Sequence, residues 1–447
     1  MSDWDLLVVG ARIVGDDGVR AADVAAAEGK VVRVGAGLQG SAREVVDASG
    51  KFLFPGIVDA HVHFNEPGRT DWEGIETGSR ALAAGGGTVF CDMPLNSEPP
   101  VLDAAAFETK RKLGEAKSRV DFALWGGLVP GNLGHLPELA AAGAIGLKAF
   151  MCGSGIASFP RADPATLKAG MALAAKLGLL VAVHAEDEEI TGRLTAAARA
   201  QGRESVRAYL DSRPVDAETA AIRLAAELAG ETGCRLHVVH VSSPEGLDAV
   251  LAARRAGADI SAETCPHYLL LNDRDVERIG ALAKCSPPIR GESARRDLWR
   301  RLRAGDFDTL GSDHSPSPPA LKEGRDFFAI WGGIAGVQHG MELVLSEAER
   351  DDWPLLSRLL AGNVARRFRL PAKAGIREGC DADFSILAAN AGRIVTAEEL
   401  LTRHRVSPYV GRSCRIRFER TYLRGRLVSP AGPAAPSFGR WLRPSPG

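Results

Sequence analysis

The central part of the chain alternates short apolar segments with longer segments rich in alanine, leucine and arginine. The short segments predict buried strands, and the longer ones, such as 164–177 and 217–232, predict helices. Eight strands that alternate with helices between about residues 56 and 365 favour a (β/α)8 TIM-like barrel of the α/β class. A doubly wound open sheet is the alternative architecture. The predicted strands are 56–63, 88–93, 122–128, 144–151, 179–184, 235–241, 259–264 and 309–313.

The two ends of the chain have a different pattern, in which short β-rich segments are broken by glycine and aspartate. Such segments lie at 6–9, 11–14, 30–34, 383–387 and 421–423. We predict that residues 1–55 and 370–447 pair into one small composite β-sandwich domain. The barrel domain would then span residues 56–369.

Composition and charge are those of an ordinary globular protein. The chain has 447 residues, of which 45% are hydrophobic and 25% charged, with a formal net charge of −1. This balance gives no reason to expect a nucleic-acid partner. The seven cysteines include no Cys-x-x-Cys pair, which favours free thiols in a reducing compartment. Since no secretory signal pattern or apolar run of 18 residues is recognised, we expect a cytoplasmic protein without a membrane partner.

Polar side chains stand at the ends of several predicted strands. His61 and His63 follow an apolar run and, being two residues apart on a strand, point to the same side, where two imidazoles can bind one metal ion. Active sites of barrels form at the carboxyl ends of the strands. We therefore expect a metal site at this mouth, formed by His61, His63, Lys148, His184, His240 and Asp313.

A lysine among metal ligands needs explanation, because an ammonium group has no lone pair to donate. A carbamate formed from Lys148 and CO₂ is an anion with two oxygens that can bridge two cations and offset their repulsion. The alternatives for Lys148 are an anion-binding or a Schiff-base lysine. The remaining histidines have simpler explanations. His237 has the opposite strand parity and is predicted to pack in the core, and His135, His339 and His404 to be structural or exposed.

Six motifs, in order along most of the chain, resemble those of the cyclic amidohydrolases. This group of the amidohydrolase superfamily contains dihydroorotases, hydantoinases (dihydropyrimidinases) and allantoinases. The motifs are PGIVDAHVH at 55–63, GLKAF at 146–150, VHAE at 183–186, HVVHVSS at 237–243, ETCPHY at 263–268 and GSDHS at 311–315.

The resemblance implies a binuclear metal centre. His61, His63 and Asp313 would bind the more buried metal ion, His184 and His240 the more exposed one, and N6-carboxylated Lys148 would bridge them. The two divalent ions are expected to be zinc, with iron, cobalt and manganese also compatible. A hydroxide between the metal ions would attack a ring amide, while Asp313 would carry its proton to the leaving nitrogen. The resemblance also implies a homotetramer.

The identity of the ring depends on a few positions. Dihydroorotases of this kind carry an arginine two residues after the second histidine, where this chain has Asn65, so a neutral substrate is favoured unless Arg69 substitutes. Hydantoinases carry a tyrosine soon after the bridging lysine, and residues 148–155 contain none. Segments 63–74, 91–96 and 331–336 resemble the allantoinases in particular.

The expected reaction is therefore the hydrolysis of allantoin to allantoate, a step of purine (ureide) catabolism. A hydantoinase or dihydropyrimidinase acting on other neutral cyclic ureides is the first alternative, followed by a dihydroorotase and by a non-catalytic homologue. By resemblance to hydantoinases, Ser286 and the backbone near Gly332 would contact the ring. Asn96 is a further candidate that is equally explained as a turn residue, and His267 is a candidate for the pocket wall.

Overall fold

The computed structural model describes residues 3–430, 432 and 436–446. Strands occur along the whole chain, and those of the central part are parallel and buried. The strands are β1 (Trp4–Val9), β2 (Arg12–Val14), β3 (Val19–Ala21), β4 (Asp23–Ala27), β5 (Lys30–Gly35), β6 (Ala42–Asp47), β7 (Phe52–Pro55), β8 (Ile57–Val62), β9 (Gly87–Asp92), β10 (Asp121–Leu124), β11 (Gly126–Gly127), β12 (Leu147–Phe150), β13 (Leu180–His184), β14 (Arg235–Val238), β15 (Ile260–Thr264), β16 (Thr309–Leu310), β17 (Phe384–Ile394), β18 (Ser413–Leu423) and β19 (Arg426–Ser429).

The central strands form two parallel sheets. One has the order β10-β9-β8, and the other runs from β11 to β16 in sequence order. The third predicted strand is divided at Trp125, whose indole donates a hydrogen bond of 3.0 Å to Ala60 O. At the other edges, a parallel bridge joins Val62 at the end of β8 to His314 beyond β16. The eight predicted strand regions are thus present, and the α/β class is confirmed.

Helices connect the parallel strands, and several begin at a side chain that caps them. Asp103, Asp163, Asp187, Ser205 and Ser243 each accept a hydrogen bond from a backbone N–H of the first helical turn. None of the described helices is long and apolar enough to cross a membrane. The helices are α1 (Ile75–Ala84), α2 (Ala104–Lys117), α3 (Leu136–Ala142), α4 (Pro164–Lys176), α5 (Glu188–Ala200), α6 (Val206–Asp211), α7 (Val215–Thr232), α8 (Pro244–Arg255), α9 (Pro266–Leu270), α10 (Asp273–Ile279), α11 (Glu292–Arg303), α12 (Gly340–Glu347), α13 (Trp353–Ser357) and α14 (Asn363–Arg367).

The two ends of the chain share a sheet, as their β-rich pattern predicted. The order of that sheet is β19-β18-β17-β7-β2-β3, and a second sheet has the order β5-β4-β1-β6. One apolar cluster includes Val8, Val24, Leu53, Phe384 and Tyr422, so it draws on both sheets and on both ends of the chain. Residues 440–442 follow β10 instead, with hydrogen bonds between their backbone and that of Phe122.

A buried charge cluster connects the central sheets with the terminal ones. Nζ of Lys373 lies 2.6 Å from Asp121 on β10 and 2.7 Å from both Asp381 and Asp383, next to β17. Arg424, which follows β18, also pairs with Asp121. Burial alone would lower the pKa of Lys373, but the three carboxylates raise it above its ordinary value. The three carboxylates lie close enough together for a metal ion, and Lys373 supplies the compensating charge instead.

Candidate metal centre

A cavity of about 430 Å³ opens at the carboxyl ends of the parallel strands. Its wall contains the six side chains proposed from the sequence as metal ligands, together with three of the four proposed substrate contacts. These residues are His61, His63, Lys148, His184, His240, Asp313, Asn96, Ser286 and Gly332. The fourth, His267, is not part of this wall, since its ring is fully buried against Tyr268 at a centroid distance of 4.2 Å. Its role in substrate binding stays a prediction.

The first group of ligand atoms comes from His61 on β8, from His63 directly after β8, and from Asp313 in the segment after β16. Nε2 of His61 and Nε2 of His63 lie 3.2 Å and 3.4 Å from Oδ1 of Asp313. Two ligands of a tetrahedral zinc ion with bonds of about 2.1 Å are about 3.4 Å apart. The three side chains therefore have the separation that one small divalent ion requires.

The second group consists of His184 at the end of β13 and His240 beyond the end of β14. Nδ1 of His184 faces Nε2 of His240 at 3.0 Å. The His184 ring also stacks on Phe150 at 4.5 Å with an interplanar angle of 10°. Burial lowers the pKa of both imidazoles, which favours the neutral, metal-binding form.

Lys148 is fully buried at the same mouth, on β12. Among the residues that the structure describes, Nζ of Lys148 has no hydrogen-bond partner. Burial lowers the pKa of this amine to about 8. A buried amine without a partner is costly, so the site favours a modified or otherwise engaged lysine.

Two carboxylates that received no role in the sequence analysis orient the histidines. Oε1 of Glu263 lies 2.7 Å from Nδ1 of His61, and Oε2 of Glu186 lies 2.8 Å from Nε2 of His184. Arg213 donates to Glu186 at 2.7 Å. Burial would raise the pKa of each carboxyl group, but the neighbouring histidines and, for Glu186, Arg213 lower it to about 2. Such carboxylates fix the tautomer and the ring orientation of metal-binding histidines. In the sequence, both glutamates lie in motifs at the ends of predicted strands, and this position could have indicated their role.

The backbone at the site is locally unusual. His240 has φ 42° and Asp313 φ 44°, which are left-handed conformations that residues other than glycine rarely adopt. Asn65 and Asn96 share this feature, with φ of 64° and 68°. The cost of such conformations is repaid where a side chain must be aimed at a defined point. For His240 and Asp313, that point lies in the cavity where the proposed ligands meet.

The structure also shows the surroundings of Asn65 and Arg69, the two residues from which the charge of the substrate was inferred. Asn65 is buried and its amide donates to Pro316 O at 3.3 Å, and Arg69 stacks on Trp72 at 4.8 Å. Neither residue is part of the cavity wall. The wall does contain a tyrosine that was not expected from the sequence analysis. This residue is Tyr209, whose hydroxyl lies 2.6 Å from Oγ of Ser286.

The histidines outside the proposed site have other partners. His237 lies 2.7 Å from Ser261 Oγ in the core, and His339 lies 2.8 Å from Glu342. His135 pairs with Glu138 at the surface, and His404 contacts Asp71 O. None of these four residues is part of the cavity wall among the described residues.

Comparison with known proteins gives relatives over nearly the whole chain. Residues 52–428 match the amidohydrolase family. The chain is 52% identical over 427 residues to an allantoinase from Solibacter usitatus, covering 95% of this chain and 93% of that protein. It is 49% identical to an allantoinase from Deinococcus radiodurans, covering 98% and 99%. Among solved structures, L-hydantoinase (dihydropyrimidinase) from Arthrobacter aurescens has a TM-score of 0.95 and 34% identity, with coverage of 98% and 99%.

Proposed function

The chain belongs to the amidohydrolase family, and on this basis we propose that it hydrolyses allantoin to allantoate. The observation that carries the proposal is the identity of 42–52% to several proteins named allantoinase over at least 95% of this chain. The enzyme is thus a hydrolase of cyclic amide C–N bonds. Hydantoin and dihydropyrimidine rings are the second candidate substrates, because solved structures of hydantoinases and a dihydropyrimidinase share the fold at 27–34% identity.

The family and its hydantoinase neighbours imply a binuclear metal site, and the donor set fits two divalent ions. His61, His63 and Asp313 would hold one ion, and His184 and His240 the other. Lys148, carboxylated at Nζ, would bridge them, which gives its buried and unpartnered nitrogen a function. Zinc suits these ligands, with iron, cobalt and manganese as alternatives. When bound, such ions polarise a carbonyl group and lower the pKa of water.

Asp313 is the residue to which we assign proton transfer. Despite its burial, the neighbouring histidines hold its pKa well below the ordinary value, so the carboxylate is ionised. It would accept a proton from the attacking water and return it to the ring nitrogen as the amide C–N bond breaks. The second proton of the water stays on the new carboxyl group and is released when that group ionises, so the step yields a carboxylate, a ureido group and one proton.

Neutral polar groups would recognise the ring. The hydroxyl of Ser286, the backbone of Gly332 and the amide of Asn96 all line the same cavity. The Ser286 hydroxyl is also hydrogen-bonded to Tyr209. Allantoin offers several amide-like donors and acceptors and carries no carboxylate. Arg69 is not part of the wall, and the cationic side chains that are, apart from the proposed bridging residue Lys148, have partners of their own. Arg213 pairs with Glu186, Arg199 pairs with Asp326, and Lys284 donates to backbone carbonyl groups, which supports a neutral substrate.

The same proposal includes the domain architecture. The two parallel sheets would close into a (β/α)8 barrel of residues 56–369, which the bridge between Val62 and His314 supports. Residues 1–55 and 370–447 would form the β-sandwich domain, which the apolar cluster common to both terminal sheets supports. A homotetramer and a cytoplasmic location stay predictions from the resemblance and the sequence.

The experiment that tests the function compares ring-opening rates of the purified, metal-replete protein on allantoin, hydantoin, dihydrouracil and dihydroorotate. We expect kcat/KM to be highest for allantoin. Faster opening of hydantoin or dihydrouracil would replace this assignment with the second candidate. A preference for dihydroorotate would refute the argument for a neutral substrate, since its carboxylate needs a cationic partner.

A further inference from the structure

One side of the cavity is formed by residues 328–333, which we call the cover segment. All six residues are part of the cavity wall, although none belongs to a helix or strand. Irregular segments hold a defined shape only when their backbone polar groups have partners. Most of the carbonyl groups of the cover segment have two lysine side chains as their partners.

The first of these lysines is Lys284, which is buried. Its Nζ donates to Ile330 O and, at 3.3 Å, to Phe328 O. The same ammonium group lies 4.7 Å from the ring centre of Tyr209 and 5.4 Å from that of Phe327. The ammonium group of Lys284 is thus surrounded by backbone carbonyl oxygens and aromatic ring faces in place of a carboxylate.

The second lysine, Lys322, lies at the end of a short helical turn and is partly buried. Its Nζ donates to Trp331 O at 3.0 Å and to Gly333 O at 2.7 Å. Among the described residues, neither Lys322 nor Lys284 forms an ion pair with a carboxylate. Burial lowers the pKa of Lys284 to about 7 and that of Lys322 to about 8, which reflects the cost of this arrangement.

Together the two lysines bind four of the six carbonyl groups of the cover segment. Five of its six N–H groups are also engaged. Those of residues 328, 329 and 330 donate to Asp326, Trp331 N donates to Leu321 O at 2.9 Å, and Gly333 N donates to Lys284 O at 2.7 Å. Among the described residues, no hydrogen bond engages the peptide N–H or C=O of Gly332. The backbone N–H and C=O groups of Gly332 are therefore free to form hydrogen bonds with a ligand in the cavity.

Lys284 also links two walls of the cavity. Its side chain and its carbonyl hold the cover segment, and it precedes Cys285 and Ser286, which line the same cavity. Lys284 is thus a direct connection between Ser286 and the segment that contains Gly332, and it helps to set the distance between them. A ligand that bonds to both needs this distance to be fixed before it binds.

We propose that Lys284 and Lys322 are positioning residues that hold the cover segment so that Gly332 and Ser286 together bind the substrate ring. The inference rests on the proposed function, because it assumes a cyclic ureide in this cavity. The lysines act through backbone carbonyl groups and do not touch the substrate. Their loss should weaken substrate binding more than the chemical step.

The test uses Lys284→Met and Lys322→Met, in which the side-chain length is kept and the ammonium is lost. In each variant we expect KM for allantoin to rise at least about ten-fold while kcat changes less than about three-fold. Lys284→Arg retains donors for the carbonyl groups and should recover part of the KM. Lys112→Met, on the exposed face of α2, is the matched control. Metal content and Tm are measured for every variant.

Unchanged KM in folded, metal-replete variants would overturn the inference. So would a loss of kcat at unchanged KM, since that would place the lysines in support of the metal centre. If Lys284→Met does not fold, Lys322→Met decides. Failure of the proposed function has a different signature, because the wild-type protein would then not open allantoin. The same KM comparison on the ring that it does open would still test the two lysines.

Discussion

Oε1 of Glu263 lies 2.7 Å from Nδ1 of His61, and the other nitrogen of that ring faces Asp313 at 3.2 Å. Both side chains of the first pair are almost completely buried. The carboxylate at the end of β15 therefore fixes the tautomer in which Nε2 of His61 carries the free lone pair. Metal affinity at this site should depend on Glu263 although it is not itself a ligand.

Glu263→Gln tests this dependence. The amide retains the shape but loses the charge that orients His61, so we expect metal affinity to fall about 10- to 100-fold. Competition with a chromophoric chelator measures the affinity of the variant against the wild type. Glu189→Gln, at an exposed position of α5, is the control for the loss of one negative charge. Equal affinity in all three proteins would exclude an orienting role for Glu263.

Lys148→Ala tests the bridging carbamate. The variant lacks the nitrogen that would carry the carboxyl group, so metal content and activity should fall together. Acetate or propionate with added metal should restore part of the activity, because a small carboxylate can occupy the vacated volume. An equal concentration of chloride is the control for ionic strength. Full metal content and rate in Lys148→Ala would show that the lysine bridges nothing.

Asp313→Asn removes the carboxylate that we assign to proton transfer. We expect kcat on allantoin to fall about 10²- to 10⁴-fold, since the amide cannot accept the proton of water. Metal content must be measured in parallel, because the same side chain is a proposed ligand. A variant that contains metal and turns over at a near-native rate would remove Asp313 from the mechanism.

Lys373→Met tests the buried charge cluster between the sheets. The substitution leaves Asp121, Asp381 and Asp383 without their common cation, at a cost of about 3–5 kcal/mol in the free energy of unfolding. Denaturant unfolding measures this cost, with Lys112→Met as the exposed control. Equal stability of the two variants would mean that the remaining cations compensate fully.

Glu186 and Glu263, the two carboxylates that orient the histidines, should make the free energy of unfolding depend on pH in acid. The pKa values of Glu186 and Glu263 are about 2 in the folded protein, against an ordinary value of 4.5. Their stabilisation is complete above about pH 4.5 and is lost as the pH falls towards 2. Metal-free Glu263→Gln should therefore lose less stability between pH 5 and pH 3 than the metal-free wild type, by about 1 kcal/mol or more. Equal slopes in denaturant titrations would contradict this.

The fold was predictable where local pattern and final structure agree. The strand predicted at 179–184 is observed at Leu180–His184, and the helix predicted at 164–177 at Pro164–Lys176. β16 is shorter than predicted and ends at Leu310, and the chain beyond it is irregular and includes the left-handed backbone of Asp313. The residue at which a strand ends depends on contacts with strands that are distant in sequence. A local sequence pattern does not contain this information.

Which residues meet in one cavity was predictable from the sequence, but their geometry was not. All six proposed ligands meet in one cavity, because strand parity and strand ends carry that information. The alternation of side chains along a strand does not determine the direction of His240, because this residue lies beyond the end of β14. Its direction is set by a backbone φ of 42°. The partners of Glu263 and the position of Tyr209 join segments far apart in sequence, which only the tertiary fold defines.

The strand that carries His61 begins one residue after β7, with Gly56 as the link. A side chain at this glycine would lie 2.2 Å from Oγ1 of Thr88, so the passage from the terminal sheet to the first parallel strand is tight and has no room to lengthen. This close packing couples the terminal sheet to the strand that carries His61. A protein trimmed to residues 56–369 would lose β7, to which that strand is joined, so exchanging the proposed small domain between relatives should disturb metal binding even though no proposed ligand lies in it.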